Sequence, residues 1–148
     1  MKLNLDCIKD VLLFCIDNID YEEVGGNSWT AKTVNLNMLY DAPETKKYSR
    51  KDIMRSVLKL KESHYISVLK CYPENKPYLD SCSIDDITMR GYQFAETVRE
   101  PTVWEKTKSI ANRIGNHTLG FIEGIAHDVA VEMGKQAIAI SMTGNAQQ

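Results

Sequence analysis

The chain has 148 residues, 43% hydrophobic and 26% charged, with a net charge of −2. That length and balance give enough apolar material for a real core and exclude a disordered chain. Charge arrives too early at Met1-Lys2-Leu3-Asn4-Leu5-Asp6 for a secretory leader, and the uncharged run from Gln136 to Gln148 is too short and polar to span a bilayer, so no membrane segment and a cytoplasmic location are expected. From Leu5 onward, Leu5, Ile8, Leu12, Cys15, Ile16 and Ile19 recur at helical spacing, with Asn4 as a cap and Asp6 in the first turn. The acidic stretch Asp20 to Glu23 and the turn Gly25-Gly26-Asn27-Ser28 close this helix. Trp29 to Met38 then reads as a strand, because Val34, Leu36 and Met38 alternate with Asn35 and Asn37. Leu39 to Tyr48 is short and poorly periodic.

Ser49 caps the next predicted helix, which runs to Ser63 with Ile53, Met54, Val57, Leu58 and Leu60 on its expected core face. The opposite side gathers Lys51, Arg55 and Lys59, with Ser56 at its edge. Ile66 to Tyr72 reads as a strand, Pro73 to Pro77 as a turn, and Tyr78 to Thr88 as the return path of a hairpin. Helix, strand, basic helix and hairpin is the order of a winged helix. Three helices follow: Arg90 to Arg99, then Pro101 to Ile114 with proline in its first turn, then about Thr118 to Ile140. The last has the stripe Leu119, Ile122, Ala126, Val129, Met133, Ala137 and Ile140, ahead of a frayed tail from Ser141. The expected architecture is therefore α+β and mostly helical, with a winged-helix-like part over residues 1–100 and a C-terminal helical extension over 101–148.

Charge is unevenly placed. Residues 1–44 carry three bases and eight acids, residues 45–76 nine bases and three acids, and residues 77–148 six bases and nine acids. The basic middle segment makes Lys46, Lys47, Arg50, Lys51, Arg55 and Lys59 candidates for phosphate contacts, Arg55 and Ser56 for base edges, and Lys76 for a backbone contact from the hairpin tip. A solvated helix face is the plain alternative. Cys7 and Cys15 fall on the first helix's apolar stripe, while Cys71 and Cys82 flank the hairpin turn; all four read as core or structural thiols, since no Cys-x-x-Cys spacing occurs. Trp29 and Trp104 read as packing anchors, Trp104 against the Tyr92–Phe94 region.

Catalytic signatures are lacking: no Gly-rich loop followed by Lys-Ser or Lys-Thr, no His-Glu-x-x-His, no Gly-x-Ser-x-Gly. Glu123 and His127 sit one helical turn apart, but Glu132 points away from both, so neither a metal, a cofactor nor an enzyme activity is expected. On the last helix Gly120, Gly124, Val131 and Ile138 cluster opposite the main stripe, the last three at seven-residue intervals, which marks a candidate homo-oligomer interface.

Three stretches carry a family resemblance. Asp6-Cys7-Ile8-Lys9-Asp10-Val11-Leu12-Leu13, Leu58 to Ile66, and above all Ile87-Thr88-Met89-Arg90-Gly91-Tyr92-Gln93-Phe94 continuing through Thr102-Val103-Trp104 resemble the phage and prophage family catalogued as domain of unknown function 2513. The likeness covers most of residues 1–115. His64 stands where that family usually has Gly, which implies a left-handed backbone there; Tyr92 replaces a usual His and Pro101 a usual acid. The resemblance implies a winged-helix fold and a phage context and carries no established activity. Two functions follow as expectations: binding duplex DNA through the basic helix and wing, or engaging a host or phage protein with the same fold.

Overall fold

The computed structural model describes residues 2–69 and 82–146. Helix α1 (Leu5–Asn18) starts at Asn4, whose Oδ1 accepts from the Cys7 amide at 3.1 Å, and it buries Leu5, Cys7, Ile8, Val11, Leu12 and Cys15. Burial pushes the Cys7 thiol up to about 11 and raises Cys15 further, so both are inert core groups. Cys82 is also buried, and Cys71 lies outside the described residues.

The chain next forms a hairpin that the acidic sequence did not suggest: β1 (Asp20–Glu23) pairs antiparallel with β2 (Trp29–Lys32), with Tyr21 opposite Ala31 and Glu23 opposite Trp29. Gly25, Gly26 and Asn27 all take positive φ, which reverses the chain at the tip. Both faces of the hairpin are open, and Trp29, expected as a core anchor, is 64% exposed. The predicted strand over Trp29–Met38 is likewise corrected. After the short strand β3 (Val34–Asn35), Asn35 accepts from the Met38 amide at 2.9 Å and starts helix α2 (Leu36–Asp41). Leu36 and Leu39, one turn apart, are both buried there; a six-residue helix shows too little periodicity to be told from alternation.

Helix α3 (Arg50–Glu62) is capped by Ser49 and turns Ile53, Ser56, Val57 and Leu60 inward against α1. It is followed by β4 (Ile66–Leu69) and β5 (Ser83–Ile87), which complete an antiparallel sheet in the order β3-β5-β4, with Val34 opposite Ile84 and Ile66 opposite Ile87. One strand before the helix pair, and two after it with the last in the centre, is winged-helix topology, with the β1–β2 hairpin inserted after the first helix. Helix α4 (Met89–Arg99) begins at Thr88, whose Oγ1 accepts from the Gly91 amide at 3.0 Å and donates to the His64 carbonyl at 2.6 Å. Phe94 stacks on the buried Tyr65 ring, with centroids 5.3 Å apart, while Tyr92 is exposed.

The described chain divides after Ala95, inside α4, into two compact units; the boundary expected at residue 100 marks the end of α4. In the second unit, α5 (Pro101–Ile114) is capped by Glu100, starts on Pro101, buries Val103, Trp104, Thr107 and Ala111, and stops at left-handed Gly115. Helix α6 (Leu119–Ala146) packs on α5 through Leu119, Ile122 and Ala126. Its expected stripe is buried only that far: Ala137 and Ile140 are exposed, and the predicted frayed tail from Ser141 instead continues the helix to Ala146.

The junction after α3 makes specific demands. His64 takes φ 61°, and a Cβ on Gly91 would lie 2.0 Å from the Tyr65 carbonyl oxygen. Gly91→Ala should therefore lower the unfolding free energy by about 2 kcal/mol or more, since two backbones must part. His64→Gly should be neutral or stabilising by up to about 1 kcal/mol, the relief of the left-handed strain being partly offset by glycine's extra freedom when unfolded. Urea denaturation of the two variants beside the parent checks both signs.

Candidate nucleic-acid interface

The side of α3 turned away from α1 carries Lys51, Met54, Arg55, Leu58, Lys59 and Glu62, spaced three and four residues apart along one helical face. Met54 and Leu58 were expected in the core; the core arc instead runs through Ile53, Ser56, Val57 and Leu60, and the two larger side chains stay partly open. They line a groove of about 670 Å³ together with the cations Lys51, Arg55, Lys59 and Lys61. Ser56, expected at a base edge, is only 2% exposed, and its Oγ donates to the Asp52 carbonyl at 2.7 Å. A serine satisfies its hydroxyl within its own helix and so fits a small gap between packed helices.

The other cations sit at the start of α3. Lys46 and Lys47 belong to the turn Ala42–Ser49, and Arg50 opens the helix. Arg50 lies over the Tyr40 ring at 4.9 Å, and Lys47 sits 3.4 Å from Asp10 Oδ2 and 5.2 Å from the Tyr48 centroid. Lys59 pairs with Glu62 at 2.7 Å. Among the described residues Lys46, Lys51 and Arg55 have no ion-pair partner, which leaves these three with their full charge for an outside anion. Lys76 lies outside the described residues.

Sequence reading missed the groups that hold this leading turn. The Tyr48 hydroxyl donates to Asp10 Oδ2 at 2.5 Å, tying the turn to α1, and the buried Thr45 donates its hydroxyl to the Leu39 carbonyl. Burial and the Asp10 carboxylate together push the Tyr48 phenol far above its usual range, so it stays a donor at any working pH. The partners are 38 residues apart, and no local spacing rule joins them.

On α6 the four residues expected at an oligomer interface share an uncovered side. A Cβ on Gly120 or Gly124 would meet nothing within 4 Å, and Val131 and Ile138 are 42% and 62% exposed. Within the described residues no set of three His, Cys, Asp or Glu side chains is placed to hold a metal ion, and no helix is long and apolar enough to cross a membrane.

With this geometry in view, the sequence matches the family described as hypothetical protein (DUF2513) over residues 2–117, and the chain belongs to that family. The match takes in the winged-helix unit and α5 and ends just before α6. Neither the curated proteins nor the solved structures contain a match to it.

Removing the turn's tether tests its worth. Tyr48→Phe keeps the ring and leaves Asp10 to Lys9 and Lys47, at 3.3 and 3.4 Å. The loss of one hydrogen bond to a carboxylate should cost about 1–2 kcal/mol of stability in urea denaturation at pH 7.

Proposed function

We propose that this member of the DUF2513 family is a small DNA-binding protein of phage or prophage origin, regulator-like, which lays α3 in the major groove of duplex DNA. The observation that carries this reading is the place of α3. It is the second helix of the α2–α3 pair in a winged-helix unit, and its outward face holds Lys51, Arg55 and Lys59. Lys46, Lys47 and Arg50 at its N-terminal end are positioned for phosphates on one flank, and Lys76, outside the described residues, is assigned a backbone contact from its place in the sequence alone. The connection between α2 and α3, from Ala42 to Ser49, is longer than the three or four residues of a strict helix-turn-helix. In this reading the protein binds rather than catalyses, needs no cofactor, and works in the cytoplasm of the host cell.

Self-association belongs to the same proposal. Outward-facing Val131 and Ile138 on α6, with Met142 on the same side, give a second copy an apolar surface, with Gly120 and Gly124 allowing close approach. A pair of winged helices reads paired half-sites. A second reading, a protein-interaction module engaging a host or phage complex, is favoured by a different surface: the hairpin β1–β2 exposes Tyr21 and Trp29 among Asp20, Glu22 and Glu23.

The test is a salt titration against random duplex DNA. The parent should bind at low salt, and Arg55→Ala combined with Lys59→Ala should weaken binding to all sequences alike, reducing the slope of log K against log salt by about 0.9 for each phosphate no longer neutralised. No binding by the parent at low salt rejects the DNA reading; an unchanged double variant rejects α3 as its reader. On the same samples, light scattering should give a dimer or larger at tens of micromolar, and Val131→Glu with Ile138→Glu in the full chain should return it to monomer.

A further inference from the structure

A face that only neutralised phosphates would have no use for two large apolar side chains at its centre. Met54 and Leu58 lie one turn apart on α3, outside the core arc, with Lys51, Arg55, Lys59 and Lys61 around the same groove. The acid at this groove, Glu62, is engaged by Lys59 at 2.7 Å, so the rim presents a net positive charge to whatever occupies it. An occupant that is anionic at its edges and apolar at discrete points between them fits this pattern. In the major groove of DNA that description belongs to thymine: phosphates run along both walls, and the C5-methyl group is the apolar feature a base pair offers there.

We propose that Met54 and Leu58 read thymine methyl groups, making α3 selective for duplexes with thymines at two fixed major-groove positions. The proposal rests on the DNA-binding reading above and adds the base class recognised. Geometry sets the spacing. Four residues along an α-helix advance about 6 Å, and base pairs rise about 3.4 Å each, so a helix lying along the groove places its two apolar side chains about two base-pair steps apart. Arg55, between them in sequence and carrying no ion-pair partner among the described residues, is free to reach a neighbouring guanine or a phosphate.

Replacing thymine by deoxyuridine removes the methyl group and nothing else from the major-groove edge. Duplexes would be selected from a random pool with the full-length parent protein, and each thymine of the selected site replaced in turn. Two positions, about two steps apart, should each lose about fourfold in affinity on the parent protein, the worth of one buried methyl. Met54→Ala should abolish the difference between thymine and deoxyuridine at one of these positions and Leu58→Ala at the other, with melting temperatures confirming that both variants fold. The substitution in DNA itself needs no protein variant, so a misfolded variant does not block the test. Tight duplex binding with no thymine pattern, or with deoxyuridine losses that both variants feel as the parent does, overturns this proposal alone and leaves the apolar pair to a protein ligand. No duplex binding under any salt condition overturns the DNA reading and this proposal together.

Discussion

The backbone of Tyr65 is the point on which the arrangement of the first unit depends. Its amide donates to the Leu60 carbonyl at 2.9 Å, closing the end of α3, and its carbonyl accepts from Thr88 at 3.1 Å, fixing the start of α4. Gly91 passes so close to that carbonyl that no side chain fits between them. Phe94 stacks on the fully buried Tyr65 ring from the same helix, and the Arg90 guanidinium lies 5.0 Å from the ring centroid while its Nη1 donates to the Ser63 carbonyl. Left-handed His64 supplies the bend that brings all of this together. Because α3 ends and the sheet begins at this one place, the direction of α3 relative to the hairpin is set here, and so is the face it turns outward.

That outward face reflects a division of labour along α3. Ile53, Ser56, Val57 and Leu60 are given to the core, where a hydroxyl that bonds its own helix is as acceptable as a methyl. The remaining positions mix charge and apolar surface in a way that suits a polyanion with methyl groups between its walls better than plain solvent. At the other end of the helix, the Tyr48–Asp10 bond and the buried Thr45 hold the leading turn firmly enough for Lys46, Lys47 and Arg50 to project from a defined position. A net charge of −2 for the whole chain does not oppose this, since screening at physiological salt confines each charge to about 8 Å of influence.

Local chemistry was readable from the sequence wherever one residue type has one good reason to be present. Asn4, Ser49, Pro101 and Gly115 mark helix ends as expected, and His64 takes the left-handed backbone that its alignment with a usual glycine implied. The family-like run Thr88 to Phe94 turns out to have a physical content, because each of Thr88, Arg90, Gly91 and Phe94 touches the Ser63–Tyr65 segment. What was not readable depends on partners far away in sequence. The β1–β2 hairpin buries nothing on either face, so no alternation of apolar residues announces it. Met54 and Leu58 look like core because leucine and methionine usually are, and only the packing of α3 on α1 shows which arc is filled. The open distal part of α6 escaped for the same reason: its stripe is apolar whether or not anything lies against it.

The central claim, that the outward face of α3 contacts duplex DNA, is tested most directly by titrating the isotopically labelled full-length protein with a short duplex at low salt and following backbone amide resonances. Shifts and broadening concentrated at Lys46, Lys47 and Arg50 through Glu62, with the β1–β2 hairpin and distal α6 unmoved, are what this account predicts. A spectrum that does not change, or one in which the hairpin or α6 responds while α3 stays silent, would contradict it.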